Sequence, residues 1–315
     1  PLMAAKSYKL APFGWRSTGP VTQLTRGALR AGLRFGVASL TILTWNIWMM
    51  PSWTGSSPRN ELRAGAIADQ LARQEVDILV LIKAFDGSAR EVLAKKLGAR
   101  FPHRYGPLND VGSPLKINGG VWVLSRFPLR FVRQIQFRDA AFVEGFSRKG
   151  AALFHGEVEG QGFQLIGTHL QGEEGPVEQH QAIRDQQISQ LAELMAGSVD
   201  PSLPLFLCGD FNTQRRDRTD PFVESPSYKR MLRLFGAENS PEFLVTLDDR
   251  RVHNDLAEYD TGRVAELDYI LLRRAGHAIT GKWRDLMMRQ QGWDGPAGRK
   301  DLSYRYAVVA TFELA

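Results

Sequence analysis

Short apolar runs that end on a polar residue recur through most of this chain, and they restrict its fold more than any other feature. Residues 40–45, 76–82, 120–125, 151–157, 163–168, 205–208, 267–272 and 307–312 each read as a strand. The 76–82 run is apolar apart from one acid, as expected of a strand covered on both faces. Helices fall between them. Ser57-Pro58 is a helix start signal, and that helix is expected to run to about Gln74. Ala89, Leu93 and Leu97 form a second apolar stripe, and Ile188, Leu191 and Met195 a third. Many short strands with interspersed helices suggest two sheets packed face to face with helices outside. Periodicity alone leaves a doubly wound sheet open.

Composition adds exclusions. With 315 residues, 43% of them hydrophobic, the chain can bury one large core or two small ones. No stretch reaches the roughly 18–20 continuous apolar residues of a membrane span. The single cysteine, Cys208, excludes an internal disulfide and sits in an apolar run as a small buried hydrophobe. Nothing points to an oxidising compartment and no clean signal peptide is visible, so a cytoplasmic location is expected.

The net charge of +6 is unevenly placed. Residues 1–40 hold Lys6, Lys9, Arg16, Arg26, Arg30 and Arg34 and no acid, which leaves 34 basic against 34 acidic residues in the remainder. The chain therefore divides into a basic N-terminal extension, 1–40, and a neutral domain, 41–315. Arg26, Arg30 and Arg34 would share one stripe of a helix. A helix packed on the body with a wet basic face is the favoured reading, and contact with an anionic membrane or a protein is the alternative. No specific nucleic-acid partner is expected.

Several strand ends carry polar groups where loops converge. These are Thr44-Trp45-Asn46, Gly167-Thr168-His169-Leu170, Cys208-Gly209-Asp210-Phe211-Asn212 and Leu267-Asp268-Tyr269. With Ser125-Arg126-Phe127-Pro128-Leu129 and the terminal Asp301-Leu302-Ser303, they form an ordered set. The set resembles the endonuclease/exonuclease/phosphatase superfamily, the deoxyribonuclease I-like proteins. Phe85-Asp86-Gly87-Ser88-Ala89, Ser147-Arg148-Lys149-Gly150 and Thr168-His169-Leu170-Gln171 are most similar to its bacterial neutral sphingomyelinases. The resemblance covers roughly residues 41–315. It implies an α/β (α+β) fold, a four-layer sandwich of two mixed sheets flanked by helices. It also implies a divalent metal and acid/base residues that cleave a phosphodiester.

By the same resemblance, Asn46 supports the metal ligand and the phosphate, and His169 stabilises phosphoryl oxygens. Asp210 and Asn212 orient the nucleophile and bind phosphate, and Asp268 steadies a terminal catalytic His. Three positions depart from the pattern. Lys83 stands where the family has its metal-ligand Glu. Tyr304 and Arg305 replace the terminal Asp-His. A hard cation needs oxygen ligands and is repelled by an ammonium. Arginine is no general base near neutral pH. No divalent metal cofactor is therefore expected.

The three replacements add roughly four positive charges, against the two of a lost divalent ion. The expectation is an anion pocket built from fixed cations. Lys83 would pair with Asp210. Arg305 would bridge to Asp268 or clamp a phosphate or carboxylate. The candidate catalytic residues are Lys83, His169, Asp210, Tyr304 and Arg305. Asn46, Asn212, Asp268 and Trp48 are the candidate substrate-binding residues. The leading function is a repurposed, metal-independent enzyme acting on a small anionic substrate, with proton transfer by His169, or by Tyr304 or Lys83 if cationic neighbours lower their pKa values. The alternative is a catalytically inactive pseudoenzyme that binds a phosphate-bearing ligand or a protein. A sphingomyelinase-like phosphodiesterase ranks third. Arg215-Arg216 and Asp249-Arg250-Arg251 read as solvated loop charges. The Trp45, Trp48, Met49, Met50 and Trp53 cluster reads equally as core or as a lipid-facing loop.

Overall fold

A computed structural model of the chain describes residues 37–112, 117–173 and 177–314. The expected basic helix with Arg26, Arg30 and Arg34 lies outside the described residues. The strands are β1 (Ala38–Met49), β2 (Ile78–Ala84), β3 (His103–Tyr105), β4 (Trp122–Ser125), β5 (Arg130–Gln136), β6 (Gly150–Val158) and β7 (Gln161–His169). They continue as β8 (Leu205–Asp210), β9 (Leu247–Asp248), β10 (Val264–Ala265), β11 (Asp268–Arg273), β12 (Ile279–Leu286) and β13 (Ala307–Leu314). The helices are α1 (Asn60–Leu71), α2 (Gly87–Leu97), α3 (Val177–Ser198) and α4 (Pro226–Phe235).

Two mixed sheets form, in the orders β12-β13-β1-β2-β4-β3 and β11-β8-β7-β6-β5. The period of two along the strands explains the layering. In β1 and β2, Leu40, Ile42, Ile78, Val80 and Ile82 face the second sheet, where they meet Phe154, Leu165, Phe206, Cys208 and Ile270. The alternate residues Leu43, Trp45, Leu79 and Leu81 face outward and are covered by Ile67 and Leu71 of α1 and Leu93 and Leu97 of α2. Helices α3 and α4 cover the second sheet through Ile188, Leu191, Met231 and Phe235. Each such side chain removed from water contributes about 1.5–3 kcal/mol. The result is the expected four-layer sandwich and not a doubly wound sheet.

Several local expectations shift. Helix α1 ends at Leu71 rather than near Gln74. Strands β5 and β12 have no continuous apolar run. They are edge strands with alternating or mixed burial. Arg215 is not solvated, because its guanidinium is buried against Glu266 and Glu224, at 3.2 Å from each. Asp249 is buried as well, since its carboxylate accepts from the Tyr259 and Thr261 backbone amides and the Thr261 hydroxyl. The tryptophan cluster divides. Trp45 and Met49 are core, whereas Trp53 is 80% exposed.

The topology gathers one end of the sandwich. Strands β1 and β2 run parallel, as do β7 and β8, so their C-terminal ends coincide. Strands β13 and β11 run antiparallel to β1 and β8 and begin at that same end. Asp210 is thereby in register with both His169 and Asp268.

Candidate functional site

Arg305 is the hub of the site. Its Nη1 donates to Asp268 Oδ2 at 2.6 Å, and its Nη2 donates to Asn212 Oδ1 at 3.0 Å and lies 3.3 Å from Asp210 Oδ2. Asp210 and Asp268 are fully buried. Asp210 also accepts from Asn46 Nδ2 at 2.8 Å and, through Oδ1, from the Asn212 backbone amide at 3.0 Å. Asn212 holds a left-handed φ of 47° and donates its side-chain amide to Leu170 O at 3.0 Å. The segment bearing Arg305 is tied to β1: Trp45 Nε1 donates to Arg305 O at 2.9 Å, and Ser303 Oγ donates to Asn46 O at 2.6 Å.

Electrostatics follow from that arrangement. Burial disfavours charge on Arg305, but Asp210 and Asp268 outweigh it and raise the guanidinium pKa. For Asp268, burial and the like charge of Asp210 outweigh Arg305, so its carboxyl sits above the usual carboxylate range. Two acids sharing one cation cannot both gain fully from it.

Lys83 lies at the end of β2 with a left-handed φ of 54°. That backbone turn sends its ammonium to Tyr304 rather than to Asp210. The Nζ atom is 5.2 Å from the Tyr304 ring centroid. Arg305 also sits over this ring, with Cζ 5.3 Å from its centroid. The expected Lys83–Asp210 pair is therefore corrected: Arg305 takes Asp210, and Lys83 joins none of the ion pairs found among the described residues. Nor do cationic neighbours lower Lys83. Burial acts to lower its pKa, but Tyr304, Glu144 and Glu258 raise it overall, so the amine stays protonated.

The pocket at this end encloses about 230 Å³. Of the nine residues singled out in the sequence, Lys83, Asp210, Asn212, Tyr304 and Arg305 line it. The other four stand behind. Asn46 donates to Asp210 and, at 3.3 Å, to the Tyr304 hydroxyl. Trp48 packs edge-on against Tyr304 at 5.1 Å. Asp268 anchors Arg305. His169 is fully buried, and neither ring nitrogen has a hydrogen-bond partner. Burial, with Lys149, Lys83 and Arg305 nearby, depresses its pKa far below the usual range and keeps the imidazole neutral.

Sequence reasoning missed the acidic wall of this pocket. Glu144, Glu173, Asp249 and Glu258 line it together with Arg263. Two of the four wall acids are paired with cations, and the other two accept only neutral donors. Glu144 is buried against Lys149 at 2.5 Å and accepts from the Gly172 amide at 2.7 Å. Glu173 is bound by Arg263, Asp249 is held by its own loop, and Glu258 accepts from the Tyr259 hydroxyl. The expected cationic pocket is thus lined by both signs of charge: Arg305 and Arg263 are paired with carboxylates, and Asp249 and Glu258 join none of the ion pairs found among the described residues. Among the described residues lining it, Lys83 is the cation without a carboxylate partner. Among the additional residues, Lys149 lay in a noted motif and Asp249 in a charge run read as solvated. Glu144 sits in a short 3-10 turn, Phe142–Phe146, and the others on stretches with no local pattern.

The donor set does not suit a hard divalent cation. The Lys83 ammonium faces the pocket, and Arg305 already sits between Asp210 and Asp268. Among the described residues no group of three or more His, Cys, Asp or Glu could hold a metal ion.

Comparison with known proteins fits the geometry. Sphingomyelinase C of Leptospira interrogans is 26% identical over 273 residues, covering 78% of this chain and 46% of that protein. The chain thus spans about half the length of that relative. Sphingomyelinase C from Streptomyces griseocarneus has a solved structure with a TM-score of 0.72 and 27% identity, covering 87% of this chain and 99% of the other. The beta toxin from Staphylococcus aureus, in a variant with bound magnesium ions, aligns at a TM-score of 0.71 and 20% identity over 86% of this chain and 99% of the other, a likeness of fold alone. The sequence profile of the Endonuclease/Exonuclease/phosphatase family matches residues 43–286, and the chain belongs to that family.

Proposed function

We propose that this protein is a non-hydrolytic member of its family that binds a small phosphate-bearing or carboxylate ligand at Lys83. The observation that carries this reading is the Arg305 hub. Its guanidinium joins Asp210, Asp268 and Asn212 within 2.6–3.3 Å, so these groups are committed to one another and not to a metal or a water nucleophile. No step through a metal is derived. Lys83, protonated and unpaired with carboxylate, is left facing the pocket beside the Tyr304 hydroxyl. An ammonium with a neighbouring O–H is a suitable anion cradle.

The test is calorimetric titration of wild type and Lys83→Met with inorganic phosphate, alongside a sphingomyelin-vesicle hydrolysis assay with magnesium. Phosphate affinity is expected to fall by about tenfold or more in the variant, the scale of one charge-assisted hydrogen bond. Hydrolysis is expected to stay at background. Turnover of sphingomyelin, or phosphate binding indifferent to Lys83, would contradict the reading.

One observation favours a second reading, the repurposed enzyme. Tyr304 lines the pocket with the Lys83 ammonium over its ring, and a phenol beside a cation is a candidate general acid. That reading requires a metal-free turnover abolished by Tyr304→Phe.

A further inference from the structure

Three guanidinium groups converge on one carboxylate at the mouth of the pocket. Arg263 Nη1 lies 2.5 Å and Arg184 Nη2 3.4 Å from Glu173, and Arg218 Nη2 bonds the same carboxylate. A fourth, Arg216, stands close by, stacked 5.3 Å from the Phe243 ring centroid with its Nη1 on Phe222 O. Two of the described acids around them pair with other arginines, and a third joins no ion pair. Asp185 lies 3.8 Å from Arg230, Glu224 is 3.2 Å from Arg215, and Asp217 caps its own turn through the Thr219 amide and hydroxyl. Among the described residues, Glu173 is thus shared by three guanidinium groups, and the grooves they line also hold Asp217.

That surplus is partly withdrawn from water. Arg184 is 1% exposed, and its Nε has no hydrogen-bond partner. Burial lowers the pKa values of Arg184 and Arg263, and the neighbouring guanidinium groups push in the same direction. Such crowding is relieved by an added anion. Position supplies the second argument. Arg263 lines the Lys83 pocket and also an outer groove of about 670 Å³ that it shares with Arg216, Arg218, Phe222 and Phe243. Its other terminal nitrogen is held by Gln214 at 2.8 Å, so the side chain is a fixed wall between the two spaces.

We propose that Arg218 and Arg263 form a second anion subsite at the mouth of the Lys83 pocket, so that the ligand is an organic bis-anion with one charged group at each end. Arginine's planar fork suits a phosphate or carboxylate held at the rim, and Lys83 provides the point charge at the floor. The proposal rests on the reading of Lys83 as the first anion site.

Methylphosphonate and a series of alkane-α,ω-bisphosphonates of increasing spacer length provide the test, by titration calorimetry of the full chain at fixed ionic strength. At least one bisphosphonate is expected to bind about tenfold or more tighter than methylphosphonate, the gain of a second tethered contact. In Arg218→Gln that ratio should shrink to about threefold or less, and Arg218→Lys should keep part of it. Arg218 is 44% exposed, so these variants should fold, which a thermal melt verifies. If methylphosphonate binding depends on Lys83 but no bisphosphonate gains affinity, or the gain survives Arg218→Gln, the second subsite is overturned alone. If methylphosphonate binding is unchanged in Lys83→Met, the reading beneath it is overturned.

Discussion

Replacing Arg305 with Met should show what the guanidinium hub contributes. The change leaves Asp210 and Asp268, both fully buried, without the cation that lies 3.3 Å and 2.6 Å from them. Breaking a buried ion pair by removing one partner costs about 3–5 kcal/mol. At about 2.1 cal/mol/K per residue, each kcal/mol corresponds to about 1.5 °C in a chain of this length, so a fall in Tm of roughly 5–8 °C is expected near pH 8. The pH dependence has a definite sign. The Asp268 carboxyl lies above the usual range in the folded protein, so the folded state holds more protons than the unfolded chain above about pH 4. That contribution to stability is present at low pH and is lost as pH rises through the folded value. Without Arg305, nothing offsets the mutual repulsion of the two acids, and the folded variant should take up an additional proton. Each pH unit over which it does so returns about 1.4 kcal/mol. Thermal melts of both proteins at pH 5 and pH 8 are the assay. A deficit that is large at pH 8 and much smaller at pH 5 is expected. An equal deficit at both pH values, or one under about 2 °C at pH 8, would refute the hub.

Three further outcomes are expected. Arg63 is fully buried and donates to the carbonyls of Ile47, Trp48 and Leu302, fastening the end of β1 to the turn before Tyr304. Arg63→Leu should therefore cost about 3 kcal/mol or more, as several buried carbonyls lose their donor, and a urea melt measures it. A Cβ on Gly209 would lie 1.9 Å from Thr168 O. Gly209→Ala should accordingly lower soluble yield and Tm sharply, since backbone cannot yield as a flexible side chain can. Asn46→Ala removes the 2.8 Å bond to Asp210 and the 3.3 Å bond to Tyr304. It should cost about 1–3 kcal/mol by chemical denaturation and weaken phosphate binding through a displaced Tyr304.

Much of this arrangement was legible in the chain because it depends on buried runs. Strands β1, β2, β8, β11 and β13 announce themselves as apolar stretches, and the polar residues at their ends do converge. The Arg305–Asp268 bridge was one of two openings for Arg305, and the family resemblance, which implies that Asp268 steadies the terminal site residue, pointed to it before any geometry. The misses have physical causes. Strand β12 reads Ile-Thr-Gly-Lys-Trp-Arg-Asp-Leu and is an edge strand with one covered face, so its apolar signal is thin. Helix α4 escaped although Ser225-Pro226 is a sound start signal and the Ser225 side chain does accept from the Tyr228 amide. The direction of Lys83 could not be read from composition, because it is set by a left-handed turn at the strand end. The acidic wall comes from loops distant in sequence. Only the fold shows that Glu144, Glu173, Asp249 and Glu258 meet there, and that Glu144 and Glu173 are paired with cations.

Lys83, Tyr304 and Arg305, the three positions expected to depart from the family pattern, act as one unit. Arg305 occupies the space between two acids, Tyr304 carries both cations on its ring, and Lys83 is thereby left free of carboxylates. Restoring one position alone would leave the others in conflict with it. The most direct measurement is therefore a magnesium titration followed by thermal shift, on wild type and on the triple variant Lys83→Glu, Tyr304→Asp, Arg305→His. If the centre has been rewritten on an intact scaffold, wild type shows no magnesium-dependent change in Tm and the triple variant gains one. A wild-type protein stabilised by magnesium, or one that cleaves sphingomyelin in its presence, would contradict that claim.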